Sequence, residues 1–400
     1  MNNRILLVLP WPQYVRKAKA HGYTVYAICD RSRDPAAHLT EIEAHAAAVH
    51  DVDRTDVPAL RRLVADLARR HRVAHILHLG DEETQGPVCR EAVALGLALN
   101  PVRALDAVND KAVTRRVLAA HGLSPVRCRV LESPDQVPAA IADLAPPVVV
   151  KPTRLDGSRG VRLIRRPGEL AEWARTLAGY RYDGQVLVEE YLRGPEFSVE
   201  VLTVDGRHHV IGVTEKLTDG FVESGHCFPA DLSPSRHAAI TDLVTDFLDA
   251  AGYRFGPTHT EVKLTADGPR IIESQARLGG DRIPQLVAVA TGFDPESAVF
   301  GALAGKPVDA VVAGRLGVIR FFRLGPGLLE SVSGLDEIAA LPYVHELRFK
   351  HQAGDLLPAT VDSATRHGFV LIDAASRHEA DLRLAAVHSL LRARIQGVAR

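Results

Sequence analysis

The amino-acid sequence predicts an α/β protein that begins with a small doubly wound parallel domain and ends with an α+β extension. Up to residue 79, short apolar strands alternate with amphipathic helices, as expected for a parallel sheet covered by helices. After residue 314, short strands are instead mixed with two helices. The length of 400 residues and the hydrophobic content of 46% suffice for two or three packed domains.

The individual elements follow from the period of the apolar residues. Strands are predicted at 5–9, 23–28 and 74–79, and helices at 14–20 and 57–71. No GxGxxG motif is present in this region, so a dinucleotide site is not predicted. A further helix is predicted from 105 to 121, where Gly122 ends it. The last helix is predicted from 377 to 395, and its apolar face comprises Leu382, Leu384, Val387, Leu390 and Leu391.

Charge and cysteine content narrow the range of partners. A formal net charge of −1 argues against a nucleic-acid partner. The four cysteines are far apart and form no CxxC pair, so neither a zinc site nor a disulfide framework is predicted. No signal segment precedes the first strand, and no apolar run is long enough to span a bilayer. We therefore expect a cytoplasmic protein with no membrane partner.

A predicted hairpin near residue 266 brings two carboxylates together. Residues 260–264 and 270–274 alternate as strands around the turn at 266–269, so Glu261 and Glu273 can meet across the hairpin. Mg²⁺ binds carboxylate oxygens together with substrate phosphates. With Gln275 and Arg277 just beyond, the pair indicates the metal end of a phosphate site. Taken alone, these residues are equally typical of a solvated hairpin.

A strand and a glycine loop upstream could hold the phosphates. The buried run at 148–152 carries Lys151, and the segment 156–161 follows it as a loop with glycines. Glycine lets backbone amides approach a phosphate closely, and a lysine adds a point charge. Such a loop is also typical of a simple hairpin turn.

Residues 185–200 are predicted to form a strand, a connector and a second strand. The junction can offer adenine an apolar slot and backbone hydrogen bonds, and Glu196 is placed to accept from ribose hydroxyls. The alternative interpretation is a charged β-hairpin.

In this order, the segments resemble the ATP-grasp superfamily, starting from Lys111 in Asn109-Asp110-Lys111-Ala112. The resemblance implies an ATP-grasp fold that uses ATP and Mg²⁺, with Mn²⁺ as an alternative metal. The residues that it implies for phosphate binding are Lys111, Lys151, Gly157, Ser158 and Gly160. Those implied for adenine and ribose are Glu189, Glu190, Leu192 and Glu196. The implied metal ligands are Glu261, Glu273 and Gln275. At the last position the family usually has Asn, so the longer Gln275 departs from the pattern.

A second cluster concerns the substrate. The segment Glu223-Ser224-Gly225-His226 carries an acid and an imidazole, which can orient an amine nucleophile or stabilise a developing charge. Together with Arg277-Leu278-Gly279-Gly280-Asp281-Arg282, it is similar to the ATP-grasp L-amino acid ligases that make dipeptides. That resemblance implies that Glu223 and His226 line the amino acid pocket. It also implies that Arg277 contacts the transferred phosphate and the acyl intermediate.

The resemblance extends over nearly the whole chain and predicts its organisation. We expect an N-terminal domain at 1–100, a linker helix at 101–123, a lid subdomain at 124–203, and the ATP-grasp core with its extension at 204–400. The predicted activity joins a carboxylate to an amine, with amino acids as expected substrates, through an acyl phosphate that releases ADP and phosphate. Related enzymes are often dimers, so a homodimer is a further expectation.

Two other readings of the sequence remain open. One is a carboxyphosphate or formyl-phosphate enzyme of purine or biotin metabolism, which shares the C-terminal architecture. The other is an inactive ATP-binding regulator, which the altered Gln275 leaves open.

Overall fold

The computed structural model describes residues 2–154, 157 and 159–397. Within these residues the strands form four sheets: a parallel sheet at the N-terminus, a small antiparallel sheet, a large eight-stranded sheet and a three-stranded sheet. The predicted fold class is confirmed, because a parallel layer precedes antiparallel sheets.

The N-terminal layer is a four-stranded parallel sheet in the order β3-β2-β1-β4. Its elements are β1 (Arg4–Val8), α1 (Pro12–Ala20), β2 (Thr24–Cys29), α2 (Ala36–His45), β3 (Ala48–Asp51), α3 (Val57–His71), β4 (His75–Leu77) and α4 (Glu82–Ala94). The sequence prediction missed α2, β3 and α4. Helix α4 was missed because it contains Gly86 and Pro87, which are unfavourable inside a helix. The helix is nevertheless capped by Asp81, whose side chain accepts a hydrogen bond from the Glu83 amide.

Two helices replace the single helix predicted at 105–121. They are α5 (Val102–Asn109) and α6 (Lys111–Ala120). Asp110 is extended and accepts hydrogen bonds from the amides of Ala112 and Val113, at 2.9 and 3.1 Å. An aspartate in this position starts a new helix, so a continuous apolar pattern does not make one continuous helix here. The break places Lys111 at the first turn of α6.

The small antiparallel sheet has the order β5-β8-β6-β7. Its elements are β5 (Cys128–Leu131), a 3₁₀ turn (Pro134–Gln136), α7 (Val137–Leu144), β6 (Val148–Pro152), β7 (Arg162–Ile164), a second 3₁₀ turn (Pro167–Glu169), α8 (Leu170–Gly179) and β8 (Val186–Glu190). Trp173 closes the core beneath this sheet, and its indole nitrogen donates to the Gly160 carbonyl at 2.9 Å. The sheet presents Lys151 and Glu189 on adjacent strands.

The eight-stranded sheet is antiparallel throughout, in the order β13-β12-β9-β10-β11-β14-β18-β16. Its first elements are β9 (Glu196–Val204), β10 (Arg207–Asp219), β11 (Val222–Phe228), α9 (Pro234–Ala251), β12 (Gly256–Thr265), β13 (Gly268–Gln275), α10 (Ile283–Thr291), α11 (Pro295–Leu303) and β14 (Leu316–Phe321). The strand Glu196–Val204 thus pairs within the large sheet, although the sequence-based division groups it with residues 124–203. That division of domains stays a prediction.

The C-terminal elements complete the large sheet and form the three-stranded sheet β17-β15-β19. They are β15 (Gly327–Ser333), α12 (Leu335–Ala339), β16 (Val344–Phe349), β17 (Leu356–Leu357), β18 (Gly368–Ala374), α13 (Arg377–Leu390) and β19 (Arg392–Gln396).

The predicted last helix at 377–395 is wrong in its second part. The helix ends at Leu390, and Leu391 is extended, with ψ at 111°. The following residues alternate in exposure with period two and pair antiparallel with β15. This strand pairing outweighs the helical pattern of the apolar residues. The apolar face is also narrower than expected, because Leu382 is 59% exposed while Leu384 and Val387 are buried.

Among the described helices, none is by itself long and apolar enough to cross a membrane. Only α10 and α11 taken together meet that length and composition, and they are bent by 91° where they join.

Candidate active site

A cleft of about 230 Å³ receives side chains from both the small antiparallel sheet and the eight-stranded sheet. Predicted site residues that line it are Lys111, Lys151, Gly157, Glu189, Glu190, Leu192, Glu196, Glu223, His226, Glu261, Glu273, Gln275 and Arg277. Gly160 does not line the cleft. It has φ at +71°, and an added Cβ would come within 2.9 Å of Pro152, so its described role is backbone geometry and packing. Ser158 lies outside the described residues.

The predicted metal hairpin is present, and Glu261 lies directly opposite Glu273 in it. Lys216 forms an ion pair with Glu261, and the ammonium of Lys111 lies 3.1 Å from Glu273 Oε2. Burial disfavours the charged form of Glu261, but Lys216 and His259 hold the pKa of this carboxyl well below its ordinary value. Both carboxylates of the hairpin are therefore paired with a cation.

Gln275 belongs to the same group. Its Nε2 donates to Glu273 Oε1 at 2.7 Å, and its Oε1 is buried with no hydrogen-bond partner among the described residues. A buried acceptor without a partner beside two carboxylates fits a hard divalent cation, which prefers oxygen ligands and completes its shell with phosphate and water. The residues present thus fit Mg²⁺, with Glu261, Glu273 and Gln275 as the donors.

His259, next to the hairpin, was missed from the sequence. Its Nδ1 lies 2.8 Å from Glu200 Oε1, and its Nε2 lies 3.6 Å from Glu261 Oε1. Burial alone would lower the pKa of His259, but the two carboxylates outweigh it and raise the pKa to about 9. The imidazolium therefore stays charged at neutral pH and fixes Glu261 from the side opposite the turn.

A buried ion-pair group connects the small sheet to the hairpin. Glu189 pairs with Lys151, at 2.7 Å, and with Arg115. Both cations also donate to backbone carbonyls of β13, Arg115 to Ile271 at 2.7 Å and Lys151 to Ile272 at 3.3 Å. Burial acts to raise the pKa of Glu189, yet the two cations lower it to about 2. The carboxylate of Glu189 is thus paired with Lys151 and Arg115. The adenine contacts predicted at residues 189, 190 and 192 stay predictions.

A second charged group forms the other part of the cleft. Arg366 holds Asp281 through both of its terminal nitrogens, and His226 Nε2 lies 3.1 Å from Asp281 Oδ2. Ser363 Oγ donates to Glu223 Oε2 at 2.8 Å. Burial alone would raise the pKa of the Asp281 carboxyl, but His226 and Arg366 outweigh this effect and lower the pKa. His226 is buried, and its Nδ1 has no hydrogen-bond partner among the described residues.

Arg277 is tied to the N-terminal layer. Its Nε donates to Glu82 Oε1 at 2.8 Å, and Glu82 stands in the first turn of α4. Burial raises the pKa of Glu82, while Arg277 partly opposes that shift. This contact spans 195 residues of sequence and fixes the guanidinium beside the metal hairpin.

Comparison with known proteins assigns this architecture. Residues 144–285 match a family model described as an ATP-grasp domain, and residues 320–396 match one described as L-amino acid ligase C-terminal domain 2. The D-alanine--D-alanine ligase of Gloeobacter violaceus is 31% identical over 237 residues, which are 55% of this chain and 73% of that protein. The chain belongs to the ATP-grasp carboxylate–amine ligase family.

Other relatives agree with this assignment. The alanine--anticapsin ligase of Bacillus subtilis is 25% identical over 249 residues, which cover 56% of this chain and 52% of that protein. The chain therefore spans about half the length of that ligase. In three dimensions, the crystal structure of an L-amino acid ligase from Bacillus licheniformis superimposes with a TM-score of 0.82 at 24% identity and covers 99% of both chains. Members of the ATP-grasp family use ATP with Mg²⁺.

Sequence reasoning missed several residues that complete the site in this ATP-grasp ligase. The residues that were not predicted are Glu82, Arg115, Lys216, His259, Ser363 and Arg366. Lys216 could have been found in part from the alternation of polar and apolar residues along β10. Lys216 lines the cleft, whereas its apolar neighbour Leu217 does not. No local signal could have identified Arg115 or Arg366, whose partners are 74 and 85 residues away.

We predict that the Glu189 group holds the small sheet to the hairpin. Substituting Glu189→Gln leaves Lys151 and Arg115 buried without their common carboxylate, so the free energy of unfolding should fall by about 3–5 kcal/mol. The neighbouring Glu190→Gln is the matched control. It weakens only the exposed contacts with the guanidinium and the backbone amide of Arg127, which should cost less than about 1 kcal/mol in denaturant unfolding. Equal effects of the two substitutions would contradict this role.

Proposed function

We propose that this protein is an ADP-forming ligase that joins the carboxylate of one amino acid to the amine of another through an acyl phosphate. The observation that supports the proposal is that one cleft holds both the carboxylate hairpin with its lysines and the Glu223–His226–Asp281 group, with Arg277 lining the same cleft. The first part suits phosphoryl transfer, and the second suits the binding of a zwitterion.

The first half of the proposed reaction requires activation of a carboxylate, which is a poor electrophile. Mg-ATP, when bound, supplies the phosphoryl group and neutralises part of its charge. Lys111 and Lys151 both line the cleft, which supports the proposal that they hold the phosphates. Arg277 is kept charged and oriented by Glu82, so it can stabilise negative charge on the transferred group at no cost of reorganisation.

In the second half, an amine attacks the acyl phosphate and must lose a proton. Asp281 accepts from His226 Nε2–H, and in the neutral imidazole it is then Nδ1 that carries the lone pair able to take that proton. Glu223, held by Ser363, can bind the ammonium group of a substrate before it is deprotonated. The carbon skeletons of the two substrates are not specified by these contacts.

Water must be excluded while the acyl phosphate exists. The connection between β6 and β7 borders the cleft through Gly157 and Val161. We propose that Gly157 and Val161 help to shield this side of the cleft from water. A homodimer also remains a proposal.

The proposed reaction makes a direct prediction about products. With an amino acid substrate present, ATP should be converted to ADP and phosphate, and hydroxylamine should trap the activated carboxylate as a hydroxamate. A matrix of amino acid pairs, read by phosphate release and product mass, measures both. Formation of AMP and pyrophosphate would contradict the proposal. Hydrolysis that depends on bicarbonate, without amide product, would favour the carboxyphosphate alternative, and ATP binding with no turnover would favour the regulator.

Glu273 should be essential for turnover but not for folding. Glu273→Ala removes a proposed metal ligand, and such a ligand supports charge neutralisation by several kcal/mol, so turnover should become undetectable. Circular dichroism should show a folded protein, because this side chain faces the cleft. Asp267→Asn, in the exposed turn of the same hairpin, is the control and should keep full activity. Near-normal activity of Glu273→Ala at ordinary Mg²⁺ concentration would refute the assignment.

His226 should separate amide formation from nucleotide binding. His226→Ala removes the proposed proton acceptor, so amide formation should slow by about a hundredfold or more. ADP affinity measured by calorimetry should change little, since Asp281 keeps its pair with Arg366. His237→Ala, on the exposed face of α9, should have no effect. If ligation were unchanged, or if ADP affinity fell in parallel, His226 would have a structural role only.

A further inference from the structure

Lys216 lies where the three functional parts of the cleft meet. Its ammonium pairs with Glu261 and also lies 3.4 Å from Glu196 Oε1 and 3.5 Å from Glu223 Oε1. The side chain is only 3% exposed. These carboxylates are the ones assigned above to the metal, the ribose and the amine.

The position of Lys216 conflicts with that of a divalent cation. The Lys216 ammonium is in contact with Glu261 Oε1, and His259 Nε2 lies 3.6 Å from the same oxygen, so the charge of this carboxylate is already shared between two cations. A cation bound at this oxygen would lie a few ångströms from a second positive charge in a buried site, where like charges repel strongly. The two cannot use Glu261 in the same way at the same time.

Displacement of Lys216 would nevertheless be a small movement. The ammonium already contacts Glu196 and Glu223 at 3.4 and 3.5 Å, so it can give up Glu261 without having to find a new partner. The ammonium would keep a carboxylate partner and would not become an unpaired buried charge.

We propose that Lys216 is a displaceable counter-cation that competes with the divalent cation for Glu261. Metal binding then depends on the nucleotide, because the phosphates supply the additional ligands needed to displace the lysine. This inference rests on the metal role given to Glu261 in the proposed function. It assigns Lys216 a positioning role in cation loading and not a contact with the reacting atoms.

Lys263 provides a matched control. Its ammonium lies 3.1 Å from Glu196 Oε2, it lines the same cleft, and its removal changes the charge of the cleft by the same unit. It stands on β12, two residues from Glu261, where successive side chains on one face are well separated. If only the total charge of the cleft mattered, Lys216→Met and Lys263→Met would behave alike.

The test measures binding of Mn²⁺ alone to the full-length protein, using the electron paramagnetic resonance signal of free Mn²⁺. Lys216→Met should bind Mn²⁺ at least tenfold more tightly than the unmodified protein without nucleotide, and Lys263→Met should stay within about twofold. ADP should increase Mn²⁺ affinity much more in the unmodified protein than in Lys216→Met. Equal Mn²⁺ affinity in all three proteins, or equal gains in both variants, would overturn the inference.

Two further measurements keep the test decisive. If Lys216→Met does not fold, Lys216→Gln replaces it, and thermal unfolding with and without Mn²⁺ gives a second readout in which the variant should gain the larger stabilisation. The outcome is also independent of catalysis. A gain in Mn²⁺ affinity without any ligation would contradict the proposed function alone, whereas a working ligase with unchanged Mn²⁺ affinity would contradict this inference alone.

Discussion

The buried ion-pair group of Glu189, Lys151 and Arg115 is the interaction on which the geometry of the cleft depends. All three side chains are withdrawn from water, which is costly unless every charge is paired and hydrogen-bonded. The group meets this condition by joining three parts of the chain: a strand pair of the small sheet, helix α6 and the backbone of β13. These partners cannot separate without leaving a buried charge unpaired. The group therefore fixes the position of the small sheet relative to the metal hairpin.

The remaining cleft follows the same principle of matched charges. Glu261 is paired with Lys216, Glu273 with Lys111, Asp281 with Arg366, and Arg277 with Glu82. Each charged side chain in the cleft thus already has a partner of opposite charge, which offsets the cost of its burial. Such pairing keeps the side chains oriented before the ligand arrives, which is the condition for strong electrostatic stabilisation in a water-poor site.

The structural features that were predicted correctly from the sequence are those that depend on residues close together in the chain. The hairpin of Glu261 and Glu273 was predicted correctly, because alternation with period two and a turn are local signals. The helix break at Asp110 and the end of α13 at Leu390 were not, since a single capping residue or a distant strand outweighed the apolar pattern. Arg115 and Arg366 were not predicted, because the fold pairs them with carboxylates that are far away in the sequence.

The contacts around Arg277 and Asp281 show that the cleft of this ATP-grasp ligase is not built only from residues 144–285, which match the ATP-grasp domain. Glu82 comes from the N-terminal layer, before residue 144, and Arg366 comes from the C-terminal extension. Each holds a charged residue of the segment 277–281 from a different side. The orientation of that short segment is therefore set jointly by both ends of the chain, and we expect a substitution in either end to change the space beside it in the cleft.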